Sequence, residues 1–132
     1  MSHFVRIQTQ IREKELLELS LRELNHRFQS AQSNELLVRG YEGNRERAEV
    51  VVDTGSNYDI GFQRQQDRYQ IVADWWGVEK DTSIQQQSFC QQINRQYAYN
   101  VVREQAREQD LVWETEQVLD NGDTVIVLSE RG

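Results

Sequence analysis

The chain has 132 residues, with 15 basic and 22 acidic side chains and a formal net charge of −7. That length fits one domain over residues 1–132, and the acidic balance argues against a general grip on nucleic acid or an anionic membrane. A single cysteine, Cys90, excludes an internal disulfide and a thiolate-rich metal site, and no run approaches the ~18 apolar residues of a membrane-spanning helix.

Taken in chain order, Ser2–Thr9 alternates: His3, Val5 and Ile7 on one face, Phe4, Arg6 and Gln8 on the other, the pattern of a strand. Lys14–Phe28 changes period. Leu17, Leu21, Leu24 and Phe28 fall on one stripe spaced four, three and four, which predicts a helix. A Ser- and Gln-rich loop follows. Leu36–Tyr41 reads as a short strand ending in the turn Gly40–Asn44, and Ala48–Asp53, with three successive valines, as another. Tyr58–Gln63 and Tyr69–Trp76 alternate across a short polar loop and read as a hairpin. Thr82 or Ser83 is the expected cap of a long helix to about Glu108, whose core stripe is Phe89, Ile93, Tyr97 and Val101. Val112–Leu119 and Thr124–Leu128 flank Asn121-Gly122, the strongest hairpin signal in the chain, because both turn positions favour positive φ.

The expected order is therefore β-α-β-β-β-β-α-β-β. Short connections favour antiparallel pairing. The expected fold is α+β, a mostly antiparallel sheet of about six or seven strands with two helices on one face.

Several runs taken together carry a family resemblance: Met1-Ser2-His3-Phe4, Val38-Arg39-Gly40-Tyr41 with Ala48–Val52, Tyr58-Asp59-Ile60-Gly61-Phe62, Ile71–Gly77, and Gln96-Tyr97-Ala98-Tyr99. Their order and spacing resemble the family of hypothetical chloroplast reading frame thirty-five, also filed as domain of unknown function twelve-fifty-seven. The resemblance runs over roughly residues 1–128. It implies a cyanobacterial cytoplasm or an algal plastid stroma as the setting, and brings no reaction, cofactor or catalytic residue with it.

Read for chemistry, the chain is sparse. It has no Gly-rich phosphate cradle leading into a helix, so no nucleotide site or other cofactor is expected. His3 and His26 lack metal-ligand spacing, and no metal site is assigned. Cys90 reads as a small buried hydrophobe, since Gln91, Gln92 and Asn94 supply neither a base nor positive charge. Arg39, Arg45, Arg47, Arg64 and Arg68 read as a solvated rim, because acids are interleaved with them.

Two constellations remain. Asp59 and Asp74 share the non-core face of the Tyr58–Trp76 hairpin. One register sets Asp59 opposite Asp74, another opposite Val72, and avoidance of like charges favours the second. The first would create an acidic pocket near Asp59, Asp74 and His3, the basis of an alternative function as a small ligand-binding protein or enzyme. The other constellation is aromatic. Consecutive strand residues Trp75 and Trp76 must point to opposite faces, so Trp76 joins Phe4 and Val72 on a second sheet face that the helices leave open, and Tyr99 lies off its helix's core stripe. Exposed Trp and Tyr are favoured anchors at protein interfaces. The leading expectation is a non-enzymatic protein-binding or assembly module, cytoplasmic or stromal, that offers Trp76, Tyr99, Phe4 and Val72 to a protein partner or to its own copy, with no catalytic residue.

Overall fold

The computed structural model describes residues 3–130. Met1 and Ser2, which belong to the first run of the resemblance, and of which Ser2 opens the expected first strand, lie outside the described residues. Within them the class is α+β with antiparallel pairing throughout. The strands are β1 (Val5–Gln8), β2 (Arg27–Ser30), β3 (Leu36–Arg39), β4 (Arg45–Ala48), β5 (Val50–Asp53), β6 (Asp59–Gln65), β7 (Arg68–Ala73), β8 (Leu111–Val118) and β9 (Thr124–Glu130). The helices are α1 (Lys14–Glu23), α2 (Trp75–Asp81) and α3 (Gln86–Glu108).

Five strands form the central sheet in the order β1-β7-β6-β5-β2, while β3-β4 and β8-β9 are separate two-stranded hairpins. Alternation along the sheet makes two apolar faces. Val50, Val52, Ile60, Phe62, Tyr69, Ile71 and Ala73 point to one face. There they meet Leu17 and Leu21 of α1, Trp75 and Val78 of α2, and Phe89, Ile93 and Tyr97 of α3 in one buried cluster. The i, i+4 spacing of the leucines and of Phe89, Ile93 and Tyr97 puts each set on one helical stripe, so both long helices cover the same side of the sheet, as their periodicity predicts. Asn100 ties the helices together: its Nδ2–H2 group donates to Ser20 Oγ (2.9 Å) and to Glu23 Oε1 (2.7 Å).

The intervening positions, Val51, Gly61 and Val72, point to the second face. Here the expectation of an open sheet face is corrected. The β3-β4 hairpin lies across it as a flap, packing Val38 and Ala48 on Val51 and Val72, with Phe4 and Leu36 at the margin. Gly61 permits that approach. An ideal Cβ there would sit 2.3 Å from Val38 Cγ2 and 3.1 Å from both Ala48 Cβ and Val72 Cγ1. The chain passes from flap to sheet at Glu49, whose N–H donates to Phe62 O (3.0 Å), so the predicted single strand Ala48–Asp53 divides between β4 in the flap and β5 in the sheet.

Three further differences have local causes. The helix predicted to reach Phe28 ends at Glu23. Asn25 adopts φ 63°, His26 N–H donates to Leu21 O (2.9 Å), and the chain leaves as β2, where Phe28 alternates inward as a strand residue. The strand predicted to reach Trp76 ends at Ala73, because Asp74 turns the chain into α2 and accepts from Gly77 N–H at its start (3.4 Å). Thr82 closes α2 rather than opening α3, its hydroxyl donating to Val78 O (2.7 Å), and α3 starts at Gln86.

Candidate functional site

The three runs Val38–Tyr41, Tyr58–Phe62 and Ile71–Gly77 converge where β6 begins, β7 ends and the flap turns. The register of β6 on β7 pairs Ile60 with Ala73, Gly61 with Val72 and Phe62 with Ile71. Extended by one residue, this is the register that sets Asp59 opposite Asp74, not the one that like-charge avoidance favours. The charge argument fails because each carboxylate has its own work. Asp59 is 5% exposed. It accepts from Arg39 at three points: backbone N–H and Nε on Oδ2, and Nη2 on Oδ1, each 2.9 Å. The same Nη2 donates to Ser56 O (2.9 Å), clamping the flap to the β5–β6 loop. The side-chain hydrogen bond to Asp59 raises the Arg39 pKa. Asp74, buried, is committed to the start of α2.

Both carboxylates thus have hydrogen-bond partners at this end of the sheet, and His3 is exposed ahead of β1. Among the described residues no group of three or more His, Cys, Asp or Glu side chains is placed to hold a metal ion. Burial pushes the Cys90 thiol up to about 11, which leaves it protonated and a poor nucleophile at neutral pH.

Around the Arg39–Asp59 clamp lies an aromatic shelf. Trp75 points inward, 5.8 Å from Phe89 between ring centroids, and is 3% exposed, whereas Trp76, one helical step on, is 48% exposed. The Trp76 ring is flanked rather than free. Tyr41, in the flap's turn, meets it edge-on at 6.0 Å and 88°, and Lys80 Nζ stands 4.8 Å from its centroid. Beneath, Gly77 lies against Tyr58 so closely that a Cβ would come within 2.2 Å of the ring. Gly40 lies on Phe4 in the same way, at 2.5 Å. The Tyr58 phenol has a raised pKa, through burial first and then the negative charge of Asp74 and Asp81.

Of the four residues expected to contact a partner, only Trp76 lies on this shelf as a large exposed ring. Val72 is fully buried beneath the flap, so it is corrected to a core residue, and Phe4 is half-buried beside it. Tyr99 belongs to a different neighbourhood. Its half-buried ring lies 5.2 Å from Trp113 of β8, in the C-terminal hairpin. Tyr41 and Lys80 were missed. Their signal was the Asp74 cap: read as a helix start, it moves Trp76 off the sheet and places Lys80 one turn along on the same helical face.

Elsewhere a groove of 1050 Å³ lies between α3 and the β1–α1 loop, lined by Ile11, Leu16, Ala98, Val101 and Val102 among others. Its one phenol, Tyr97, is occupied: the hydroxyl accepts from Arg12 and Glu13 backbone N–H, both at 3.0 Å.

A family described as "Protein of unknown function (DUF1257)" matches residues 20–127, and the chain belongs to it. Relatives carrying the name "Uncharacterized protein ycf35" include one from Guillardia theta, 31% identical over 122 residues, covering 92% of this chain and 91% of that protein. One from Cyanophora paradoxa is 29% identical over 102 residues (77% and 76%). One from Pyropia yezoensis is 29% identical over 109 residues (83% and 81%). No solved structure matches.

Proposed function

We propose that the chain is a non-enzymatic protein-binding or assembly module, a single domain whose contact surface is the shelf of Trp76, Tyr41 and Lys80. The observation that carries this reading is that Trp76 is held by its own neighbours yet remains 48% exposed. A ring already fixed in place loses little side-chain entropy on binding. Its remaining apolar area is then available to association at ~25 cal/mol per Å² before the costs of docking are subtracted. The core does not need this side chain: Trp75 and Val78 supply the inward face of α2. The two acids that an alternative ligand-binding or enzymatic reading would use are engaged by Arg39 and by the start of α2. Among the described residues no helix is long and apolar enough to cross a membrane. The algal relatives support a plastid stroma or cyanobacterial cytoplasm as the setting.

The test compares Trp76→Ala with Tyr99→Ala and the unaltered chain in affinity capture from native extract, with thermal unfolding alongside. Trp76→Ala is expected to change stability by less than about 1 kcal/mol, as an exposed substitution does, and to lose a co-purifying protein that Tyr99→Ala keeps. Retention of the same proteins by Trp76→Ala, or its collapse as a monomer, overturns the reading.

A further inference from the structure

The C-terminal hairpin presents two sheet edges of different character. Strand β8 carries Glu114 and Glu116 and is broken by a register shift between Trp113 and Thr115, the devices by which an edge is protected from pairing with another chain. Strand β9 carries a charge only at its last residue, Glu130. From Thr124 to Ser129 it is TVIVLS, without a charge or a proline, and its register to β8 is regular from Thr124 to Val127. Among the described residues β9 pairs only with β8, so its far edge is unpaired. Val125 and Val127 are 43% and 45% exposed, while Ile126 and Leu128, which alternate with them, are half-buried. A two-stranded ribbon alone is marginal in water; a third and fourth strand are what would stabilise it.

We infer that β9 is an intermolecular pairing edge, and that a second copy of this chain adds its own β9 antiparallel to it about a twofold axis at Val127, giving a four-stranded sheet β8-β9-β9-β8. The sequence is self-complementary in that register. Val127 meets Val127, Ile126 meets Leu128, Val125 meets Ser129, and Thr124 meets Glu130, so no like charges are opposed. Centring on Val127 pairs the whole strand, roughly 23 Å at ~3.3 Å per residue, and any other centre shortens it. The same operation on β8 would set Glu114 against Glu116. Charge therefore selects β9 over β8, and the bulged, acidic β8 edges left outside close the assembly at two copies instead of a fibre. This surface is separate from the Trp76 shelf and stands or falls independently of it.

Sedimentation equilibrium on the full chain tests the inference with four proteins: the unaltered chain, Val127→Lys, Val127→Glu and Trp76→Ala. The expected result is a dimer for the unaltered chain and for Trp76→Ala, and monomers for each Val127 variant, because like charges then face one another across the axis. An equimolar mixture of Val127→Lys and Val127→Glu should recover the dimer, which a variant that had merely misfolded would not do. A chain that stays monomeric at about 100 μM, or a dimer that survives both Val127 variants, overturns it. A dimer lost in Trp76→Ala but kept in the Val127 variants would move self-association to the aromatic shelf.

Discussion

Arg39 shows how much one side chain can organise here. Its side chain is 39% exposed, but that of its partner Asp59 is only 7% exposed, and one fork joins the flap, the β5–β6 loop and the start of β6. Removing the cation leaves Asp59 buried with the Arg39 backbone N–H as its remaining donor. An uncompensated buried charge of this kind costs ~3 kcal/mol, the lower end of the usual range because the arginine side is partly solvated. Arg39→Ala is expected to lower the unfolding free energy by about that amount in chemical denaturation. Arg39→Lys should recover only part of it, since an ammonium cannot reproduce the bidentate geometry. A loss below about 0.5 kcal/mol would mean that the clamp is a surface ion pair of the ordinary, weak sort.

At the scale of elements, α1 ends where local geometry overrides period. Leu17, Leu21, Leu24 and Phe28 keep helical spacing to the last, so nothing in the apolar pattern announces the stop. The stop is Asn25, one of the residues that tolerate left-handed backbone, and the four-residue β2 that follows, RFQS, is too short and polar to register as a strand. The same limit explains Trp75-Trp76. Two steps of alternation are equally two steps of a helix, and only the Asp74 cap distinguishes them. What was legible was carried by long periodic segments: the core stripes of α1 and α3, the β6-β7 hairpin and the Asn-Gly hairpin. The flap was not legible, because its pairing depends on Gly61 admitting Val38, a contact between residues 23 apart. Of the proposed shelf, the exposure of Trp76 was legible from the surplus of apolar positions, but its neighbours Tyr41 and Lys80 were not.

The end of α1 also carries a pH dependence. His26 packs its ring 5.1 Å from Phe89, and burial lowers its pKa below the ordinary 6.5. Above pH 6.5 the imidazole is neutral in both folded and unfolded chains and contributes nothing. Below it the unfolded chain takes up a proton that the folded chain refuses, so stability falls until the pH reaches the folded-state pKa. One such proton bounds the slope at about 1.4 kcal/mol per pH unit. His26→Gln should show a flatter stability profile than the unaltered chain between pH 7 and 5, measured by urea unfolding. Parallel profiles would show that the ring is solvated in the folded protein.

For the whole molecule, the consequence of covering both faces of a single sheet is that its packing and its exposed shelf are linked. The flap that seals Val51 and Val72 also carries Tyr41 in its turn, and Tyr41 is the edge-on neighbour of Trp76. Gly61 is the point on which the flap closes. In Gly61→Ala the added Cβ would overlap Val38 and press on Ala48 and Val72, none of which has a flexible side chain to swing aside. Overpacking of this kind costs ~1–3 kcal/mol. It should act first on the flap, which meets the sheet through a small cluster, and least on the helical face, whose core is separate. Amide hydrogen exchange in Gly61→Ala should therefore quicken most over Leu36–Ala48 while amides of α3 follow the smaller global change. Gly43→Ala is the control, since its φ of +81° strains the same hairpin's turn with no neighbour within 4 Å of the new Cβ. If Trp76 acts with Tyr41 as one surface, Gly61→Ala will also weaken partner capture although it touches neither ring. Uniform exchange across flap and helices would instead mean that the two faces unfold as one unit, and Gly61 would then be read as a packing residue with no separate hold on the shelf.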